Sequence, residues 1–310
     1  MVEMAVALQH LAYLAAVARE QHFGRAAGAL GVTQPTLSAG LRRLEAEVGF
    51  PLVRRGQRYE GLTPEGEQVL GWAQRVLADV DGLEETVDAM RRGLSGRLRL
   101  GVVPTSISSV ALLTTPFRAA HPGVTVSVYS LNSRQIERGL ADYELEVGLT
   151  YLDSEPLEGV RTLSLYRERY LLLTAGDGPL GGRAAVGWAE AAGLPLCLLT
   201  TDMQNRRIVD ALFAEAGASP RPVLETNSVS TLYLHVRDGG LSTVLAHAWL
   251  HQFGVPEGMR AIPLVGPRAT RSMGLVWLDR DPEPLLVRAL HGVARGVDVE
   301  SALSGARAAR

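Results

Sequence analysis

The strongest constraint on the fold of this chain is a helix–turn–helix pattern between residues 23 and 48. A first short segment carries small apolar residues on one helical face, and Gly31 permits the left-handed turn that would end that helix. Thr33 is a suitable N-cap for a second helix, in which apolar residues recur at spacings of four, three and four. The two apolar faces are formed by Ala26, Ala27 and Leu30, and by Leu37, Leu41, Leu44 and Val48.

The opposite face of the second helix is polar. It consists of Gln34, Thr36, Ser38, Arg42 and Arg43. A short polar helix that small apolar residues hold against a partner helix fits the major groove of DNA. An ordinary surface helical hairpin is the alternative, because helix–turn–helix geometry also occurs in proteins that bind no DNA. The pattern favours the DNA-binding interpretation.

Residues 52–62 follow this motif and predict a small β-hairpin. Gly56 and Gly61 flank the pair Arg58-Tyr59, which is typical of a hairpin wing whose arginines approach the minor groove or the DNA backbone. The alternative interpretation is a solvated loop.

A long helix is predicted from Pro64 to Arg92, because Thr63-Pro64 is a good helix start and no proline follows up to Arg92. A helix of that length would reach roughly 43 Å, too long for a simple connector. Its heptad seam comprises Val69, Ala73, Val76, Val80, Leu83, Val87 and Met90. The seam predicts a dimer helix, parallel or antiparallel. Leu70, Trp72 and Leu77 broaden the stripe, so packing on the chain's own domain is the alternative.

After Gly96 the pattern changes to alternating strands and helices, which predicts an α/β domain with parallel sheets. The predicted strands are 97–103, 124–130, 145–151, 167–175, 195–200, 222–227, 241–246 and 272–278, and the predicted helices are 107–123, 133–142, 206–217, 229–239 and 284–297. The Ala/Arg/Ser-rich tail 299–310 is predicted to be mobile.

The N-terminal segment resembles the winged helix–turn–helix of LysR-type bacterial transcriptional regulators. The matching residues are Phe23, Ala26-Ala27, Leu30, Thr33-Gln34-Pro35, Leu37-Ser38, Leu44-Glu45, Gly49, Leu52, Arg55 and Leu62-Thr63-Pro64-Glu65-Gly66. The resemblance implies an all-α winged helix–turn–helix with a long linker helix, then a two-lobed α/β effector domain like the periplasmic binding proteins. The implied divisions are 1–63 for DNA binding, 64–93 for the linker, and 97–298 for the effector domain, with lobe I at 97–167 and 271–298 and lobe II at 168–270.

By family position, the DNA-reading residues are Gln34, Pro35, Thr36 and Ser38. Gln34 can bond adenine, and the methyl group of Thr36 can touch thymine. The residues expected to contact phosphate are Arg42, Arg43, Arg54 and Arg55. Ala39-Gly40 stand where relatives carry long polar side chains, which indicates more dependence on DNA shape, and Gly40 is expected to weaken the helix.

The effector site is expected between the lobes, where strands end and helices begin. By family position its residues are Thr105, Ser106, Thr150, Thr201 and Asn205, and Arg206 could supply a counter-charge for a small anionic effector. The alternative is that each is an ordinary helix cap, since Ser, Thr and Asn favour caps.

The resemblance further implies a homodimer and a homotetramer on double-stranded promoter DNA in the bacterial cytoplasm. A small molecule would enter the cleft, and cleft closure would change the angle between subunits, the DNA bend and the recruitment of RNA polymerase. No cofactor or metal is expected.

The amino-acid composition excludes or disfavours several other kinds of chemistry. The chain has no lysine, which excludes lysine Schiff-base chemistry, and its formal net charge of −2 marks no global basic field. Its one cysteine, Cys197, allows no intramolecular disulfide and is expected to be an inert buried thiol. His247 and His251 could share a metal on one helical face, but they lack a third ligand.

An enzyme and a solute-binding protein remain the alternative classes. The chain has no nucleophile elbow, Gly-Lys phosphate loop, dinucleotide fingerprint or His-Glu-x-x-His motif. A solute-binding protein would carry a secretion signal, and the N-terminus lacks that pattern. No run of eighteen apolar residues predicts a membrane span.

Overall fold

The computed structural model describes residues 6–55, 59–267 and 270–304. It divides into two compact units, Met1–Arg92 and Gly93–Arg310. Within the described ranges, no helix combines the length and apolar character that crossing a membrane requires.

The first unit contains the predicted helix–turn–helix, hairpin and long helix. Its elements are α1 (Leu8–Glu20), α2 (Phe23–Ala29), α3 (Gln34–Val48), β1 (Val53–Arg55), β2 (Tyr59–Leu62) and α4 (Pro64–Arg92). Gly31 has a φ of 66°, as its predicted turn requires. The Thr33 side chain accepts from the amide of Thr36, so the predicted N-cap of α3 is confirmed. β1 and β2 pair antiparallel, and the predicted position of Arg58 at the wing lies outside the described residues.

The core of the first unit is the apolar stripe of α3 packed with α1. Leu37, Leu41 and Leu44 are buried in one cluster with residues of α1. Leu11, Leu14 and Val17 of α1 are buried, whereas Leu8 is 45% exposed. Leu8 is the first residue of α1, where one side of the helix has no neighbouring turn to pack beside it.

Helix α4 has two halves with different environments. The proximal half packs on its own unit, where Ala73 is fully buried and Val69, Leu70, Val76 and Leu77 are partly buried. The distal half exposes Leu83 (63%), Val87 (37%) and Met90 (82%). The two interpretations of the heptad seam therefore apply to different halves of one helix: intrachain packing to the first, an uncovered apolar stripe to the second.

The second unit is α/β. Its elements are β3 (Gly96–Val102), a 3-10 turn (Pro104–Ser106), α5 (Ile107–Ala120), β4 (Val124–Ser130), α6 (Ser133–Ala141), β5 (Val147–Tyr151), β6 (Val160–Ala175), β7 (Val186–Gly187), α7 (Trp188–Ala191), β8 (Cys197–Leu199), α8 (Gln204–Glu215), β9 (Leu224–Thr226), α9 (Val229–Gly239), β10 (Thr243–Ala246), α10 (His247–Phe253), β11 (Met259–Val265), β12 (Thr270–Leu278), α11 (Leu285–Arg295) and α12 (Val299–Ser304).

The sheets of this unit are mixed, so the prediction of parallel sheets was only partly right. β3 pairs parallel with β4 and β5, and β8 pairs parallel with β9. β12 runs antiparallel to both β5 and β6, and β10 and β11 run antiparallel to β6. Alternation along the sequence does not reveal the direction of a strand that returns from the other lobe.

Strand β6 belongs to both lobes. Its first part, Val160–Arg169, pairs with β12, and its last part, from Tyr170 onward, pairs with β10 and β11. The sequence placed the start of this strand at 167, and the structure begins it at Val160. β11, which no pattern predicted, completes the second lobe beside β6.

The end of the described chain corrects the prediction of a mobile tail. Residues Val299–Ser304 form helix α12, whose Val299 and Leu303 are buried in the main core. The Glu300 carboxylate accepts from the backbone amide of Arg167 at 2.6 Å. The composition of the tail is polar overall, but two apolar residues four apart are enough to dock one turn of helix. The rest of the predicted tail, 305–310, lies outside the described residues.

Candidate DNA-binding surface and interlobe cleft

The polar face of α3 is open to solvent. Gln34, Pro35 and Thr36 are exposed, and Ser38 is half-buried at the edge of the face. Arg42 and Arg43 are also exposed, and neither forms an ion pair within the described part of the chain. An exposed helix start, next to guanidinium groups that form no ion pair among the described residues, is a surface that an anionic duplex can approach without displacing an existing partner.

The N-cap of α3 decides which part of Thr36 is available. The Thr36 hydroxyl lies 2.8 Å from the Thr33 hydroxyl. The Thr33 hydroxyl oxygen also accepts a hydrogen bond of 3.3 Å from the backbone amide of Thr36. The methyl group of Thr36 takes no part in this cap and is available for an external contact. An apolar contact of this kind is what a thymine methyl group offers.

Gly40 serves packing between helices rather than recognition. It is buried, and a Cβ at this position would lie 2.5 Å from the ring of Tyr13 on α1. The expectation that the missing side chain at Gly40 reduces base reading is therefore wrong, because this position faces the unit's interior. Ala39, beside it, is exposed.

Two further features complete the surface. Arg54 is exposed on β1, and the side chain of Arg55 lies outside the described part of the structure. Helix α2 is capped by His22, whose Nδ1 accepts from the amides of Gly24 and Arg25 at 3.0 and 3.2 Å. The sequence offered no Ser or Thr cap here, and a neutral imidazole performs that function instead.

The second unit contains a cavity where its two lobes meet. Its empty volume is about 220 Å³ with the open mouth included, and the enclosed part has room for at most about one water molecule. The lining residues are Val103, Pro104, Thr105, Asn132, Ser133, Tyr151, Leu199, Met203, Gln204 and Asn205. The carboxyl ends of β3, β5 and β8 meet the start of α8 there, as in other α/β ligand sites.

Side chains cross the cleft and hold it closed. The Asn205 amide donates to the Tyr151 hydroxyl at 3.0 Å, and the Gln204 amide donates to the carbonyl of Ser154. At the rim, the Arg207 guanidinium pairs with Glu155 at 2.5 Å. This ion pair lowers the pKa of Glu155, chiefly through the hydrogen bond from Arg207.

The predicted effector residues separate into two groups. Thr105 and Asn205 line the cavity and meet at the Tyr151 hydroxyl. Ser106 is buried but bonds the Tyr166 hydroxyl at 3.1 Å, and Thr150 is buried beneath Gln204. Thr201 is exposed and lies outside the lining.

Arg206 does not face the cleft. It is 93% buried, and its guanidinium pairs with Asp210 at 2.8 Å and with Glu225 at 2.5 Å. The prediction that Arg206 supplies a counter-charge for the effector was therefore wrong. Both carboxylates that pair with its guanidinium lie within lobe II. The basic residue at the cleft is its neighbour, Arg207.

Sequence reasoning missed four polar lining residues, Asn132, Ser133, Tyr151 and Gln204. Asn132 caps α6 through a reciprocal box with Gln135, and it follows the strand that pairs with β3. The same rule that selected the ends of β3 and β8 would have selected the end of β4. Tyr151 is the last residue of a fully buried strand, where a hydroxyl needs a partner.

A buried carboxyl lies directly behind the cleft. Glu168 is fully buried, and its Oε1 accepts from the Tyr151 hydroxyl at 2.6 Å. Burial raises the pKa of Glu168 to about 7, against hydrogen bonds from Tyr151 and Tyr170 that lower it. The same burial raises the pKa of Tyr151 well above its usual value.

The histidines considered as metal ligands are packing residues. His247 is buried, its Nδ1 accepts from the amide of Arg169, and desolvation lowers its pKa to about 4. Within the described ranges, no three His, Cys, Asp or Glu side chains are placed to hold a metal ion.

Comparisons with known proteins agree with this architecture. Residues 8–67 match the family model described as the bacterial regulatory helix-turn-helix protein, lysR family, and residues 91–298 match the LysR substrate binding domain. A probable hydrogen peroxide-inducible genes activator of Streptomyces viridosporus is 33% identical over 246 residues, which cover 77% of each chain.

Solved structures share the fold over nearly the whole chain. A full-length OxyR variant from Pseudomonas aeruginosa superposes with a TM-score of 0.75 at 26% identity, covering 95% of this chain and 99% of the other. Full-length CbnR in complex with its target DNA superposes with a TM-score of 0.64 at 22% identity, covering 94% and 99%. The chain, with its helix–turn–helix unit and two-lobed effector domain, belongs to the LysR family of transcriptional regulators, which are not enzymes.

Proposed function

We propose that this protein binds an interrupted dyad in promoter DNA as a dimer and that a small carboxylate in the interlobe cleft controls this binding. The observation that carries the DNA role is the exposed start of α3 beside two arginines, Arg42 and Arg43, that form no ion pair with any described residue. Gln34 and Thr36 would contact base edges, and Arg42, Arg43, Arg54 and Arg55 would contact phosphates.

The distal half of α4 supports dimerisation. The apolar residues of its seam recur at the spacing 4-3-4-3-4-3 from Val69 to Met90. This pattern allows two copies of the helix to pair in a parallel or an antiparallel arrangement. The family's linker helices favour the antiparallel arrangement, and the family implies further assembly to a homotetramer and contact with RNA polymerase.

The cleft supports a small carboxylate ligand by its donors. The first turn of α8 has no side-chain cap, since Met203 occupies the N-cap, and the turn opens on the cavity. Uncapped amides at a helix start bind anions, and Thr105 and Asn205 add a hydroxyl and an amide. Because the cavity holds about one water molecule, a ligand must first separate the lobes.

Arg207 would have a central part in that opening. Its guanidinium donates to Glu155 on one lobe while its own helix, α8, belongs to the other. Breaking this ion pair would free a cation at the cleft mouth for the entering anion. The Arg207–Glu155 ion pair would thus keep the cleft closed, and Arg207, once released, would balance the charge of the entering anion.

The names of several relatives suggest peroxide sensing as a second candidate, and the cysteine of this chain argues against it. Cys197, the chain's single cysteine, is fully buried on β8. Burial raises the pKa of its thiol to about 11, so almost no reactive thiolate is present. No second cysteine exists to form an intramolecular disulfide.

Selection of bound duplexes from a random pool by the full-length chain tests the DNA role. We expect an enriched motif with two related half-sites and a fluorescence-anisotropy preference for it over a scrambled duplex. Recovery of random sequences would contradict the proposal. A control with hydrogen peroxide should leave the affinity of wild-type protein and of Cys197→Ser unchanged.

A thermal-shift screen of small carboxylates tests the cleft. A ligand at a hundredfold excess over its dissociation constant stabilises the native state by about 2.7 kcal/mol. We expect a hit to lose its shift in Asn205→Leu and to keep it in Thr201→Val, which alters an exposed residue outside the lining. The opposite pattern would place the ligand elsewhere.

A further inference from the structure

The cavity floor is connected to the junction of the lobes by a chain of hydrogen bonds. Thr105 and Asn205 both contact the Tyr151 hydroxyl, at 3.2 and 3.0 Å, and Tyr151 donates onward to Glu168 at 2.6 Å. Thr105 and Tyr151 belong to lobe I, and Asn205 belongs to lobe II. A single tyrosine hydroxyl therefore joins the cleft surface to a carboxyl that no solvent reaches.

Glu168 occupies the point where β6 changes partners. Glu168 and Arg169 pair with Arg271 and Thr270 of β12, and the next residue, Tyr170, pairs with Ala246 of β10. The carboxyl therefore lies on the strand that both lobes share.

Among the residues that the structure describes, Glu168 has no cationic partner. Its own strand contributes the hydroxyls of Tyr166 and Tyr170, β5 contributes Tyr151, and none of these carries a positive charge. The neighbouring charged or titratable side chains have other partners: Arg271 donates to the Thr270 carbonyl, Arg169 to Ser304, Arg167 to Thr270, and His247 accepts from the Arg169 amide.

One carboxyl oxygen of Glu168 is unsatisfied. Oε2 and the Tyr170 hydroxyl are both buried without a well-formed hydrogen bond among the described residues, although Tyr170 lies close enough to help lower the pKa of Glu168. A buried carboxylate with a single good donor is poorly stabilised. Burial raises the pKa to about 7, so both ionisation states are accessible near neutral pH.

The ionisation state of Glu168 determines what Tyr151 can present to the cleft, because a tyrosine hydroxyl has one proton. When Glu168 is ionised, that proton points to Oε1, and Tyr151 offers only its lone pairs to the cavity. When Glu168 takes a proton from solvent, its own O–H can donate to the Tyr151 oxygen. The Tyr151 proton is then free to turn toward the cleft.

We propose that Glu168 is a positioning residue for effector recognition: its protonation reverses the hydrogen bond with Tyr151 and converts the cleft floor from an acceptor into a donor, so that a carboxylate effector binds together with one proton. This inference rests on the proposed carboxylate site. The proton comes from solvent and resides on Glu168, while the effector stays ionised.

Infrared difference spectroscopy of the full-length chain between pH 6 and pH 8 tests the reversal without any effector. We expect a protonated-carboxyl band at pH 6 that disappears at pH 8, together with a shift of a ring band in protein labelled with ¹³C-tyrosine. Glu168→Gln should abolish both changes, and Tyr151→Phe should abolish only the tyrosine change. Glu137→Gln, an exposed glutamate on α6, is the matched control and should retain both.

A tyrosine shift that persists in Glu168→Gln, or the absence of a carboxyl change in the wild type, would overturn the proposal. Line broadening of ¹³C-acetate, used as a generic carboxylate probe, tests the coupling to binding. We expect affinity to fall by about tenfold per pH unit above the midpoint of the Glu168 transition, and to be nearly independent of pH in Glu168→Gln.

The two proposals fail differently in this experiment. Broadening that is equal at pH 6 and pH 8 in the wild type would overturn the proton coupling and leave the carboxylate site in place. No broadening at either pH, with the infrared reversal present, would count against the carboxylate site and leave the Glu168–Tyr151 reversal established.

Discussion

Helices α3 and α8 both carry polar side chains in their first turn, but the two sets have opposite environments. Gln34, Pro35 and Thr36 at the start of α3 are exposed and form few contacts beyond their own cap. Gln204, Asn205 and Arg206 at the start of α8 are each more than 90% buried and have partners on other elements. The first helix offers unused hydrogen-bonding groups to a large partner, and the second has its groups engaged until the lobes separate.

This contrast indicates which polar residues are free to recognise a ligand and which are used by the fold. Arg42 and Arg206 look alike in the sequence, since each stands on a helix next to a second arginine. In the structure Arg42 has no ion-pair partner among the described residues, while Arg206 bridges Asp210 and Glu225. The predictions below test this contrast, beginning with the largest expected effect.

The largest effect is expected for Ser38→Arg. Ser38 is half-buried at the edge of the α3 face, so a long side chain there should prevent close approach of the duplex. We expect a loss of at least about 100-fold in specific affinity, or roughly 3 kcal/mol, by fluorescence anisotropy. Ser38→Ala should bind nearly as well as the wild type, and the oligomeric state should not change. An unaffected Ser38→Arg would mean that this face does not contact DNA.

Glu168→Gln should change how stability depends on pH. The folded protein retains the Glu168 proton up to about pH 7, whereas the unfolded chain releases it near 4.5. The unfolded state therefore binds fewer protons between these values, and the wild-type free energy of unfolding falls as pH rises through this window. Relative to the wild type, the variant should gain on the order of 2–3 kcal/mol between pH 5 and pH 8 in urea titrations. If the free energies of unfolding of the two proteins depend on pH in the same way, the raised pKa does not belong to Glu168.

Arg206→Met should weaken the fold and leave recognition intact. The substitution removes a buried cation from Asp210, Glu225 and the Leu199 carbonyl, which accepts from Nη1 at 2.5 Å. The two carboxylates are partly exposed, which limits the cost to about 2 kcal/mol. Thermal unfolding should show the loss, while any carboxylate hit should bind the folded variant normally. A selective loss of ligand binding without a loss of stability would restore the counter-ion role.

Arg42→Gln should weaken binding to every duplex by a similar factor. A phosphate contact contributes affinity without sequence preference, so we expect about a tenfold loss and a decrease of about 1 in the slope of log affinity against log salt. Arg207→Gln is the contrasting control, because that arginine is engaged at the cleft rim. A change of preferred sequence in Arg42→Gln would instead indicate a base contact.

The smallest effect is expected at the cap of α2. His22→Ala removes the acceptor for the Gly24 and Arg25 amides and should cost about 1 kcal/mol. His22→Asn, which can accept the same amides, should recover most of this loss in urea titrations. Equal stability of the two variants would show that the imidazole contributes little as a cap.

Much of the fold followed from local pattern. The heptad spacing and the Thr63-Pro64 start predicted α4, and Gly31 and Thr33 predicted the turn and cap of the motif, because each feature depends on neighbours within one or two helical turns. The predictions that failed depend on distant contacts. β11 and the early part of β6 are strands only because they pair across the lobe junction.

The DNA-binding face of α3 and the interlobe cleft also differ in how far they depend on distant contacts. Exposure of the α3 face follows from its own periodicity, so the sequence could nominate Gln34 and Thr36. The direction of Arg206 depends on Glu225, nineteen positions away, and the burial of Glu168 depends on Tyr151 in another strand. No local pattern distinguishes Glu168 from the exposed arginines on either side of it, apart from its place in an alternating strand.

The account depends most on the claim that the start of α3 contacts base pairs while the start of α8 does not. Anisotropy titrations of a selected duplex and its scrambled counterpart, each at two salt concentrations, test it with Gln34→Ala and Gln204→Ala. We predict that Gln34→Ala reduces the preference for the selected duplex, and that Gln204→Ala leaves this preference unchanged at both salt concentrations. Equal binding of the two duplexes by wild-type protein, or an unchanged preference in Gln34→Ala, would contradict the account.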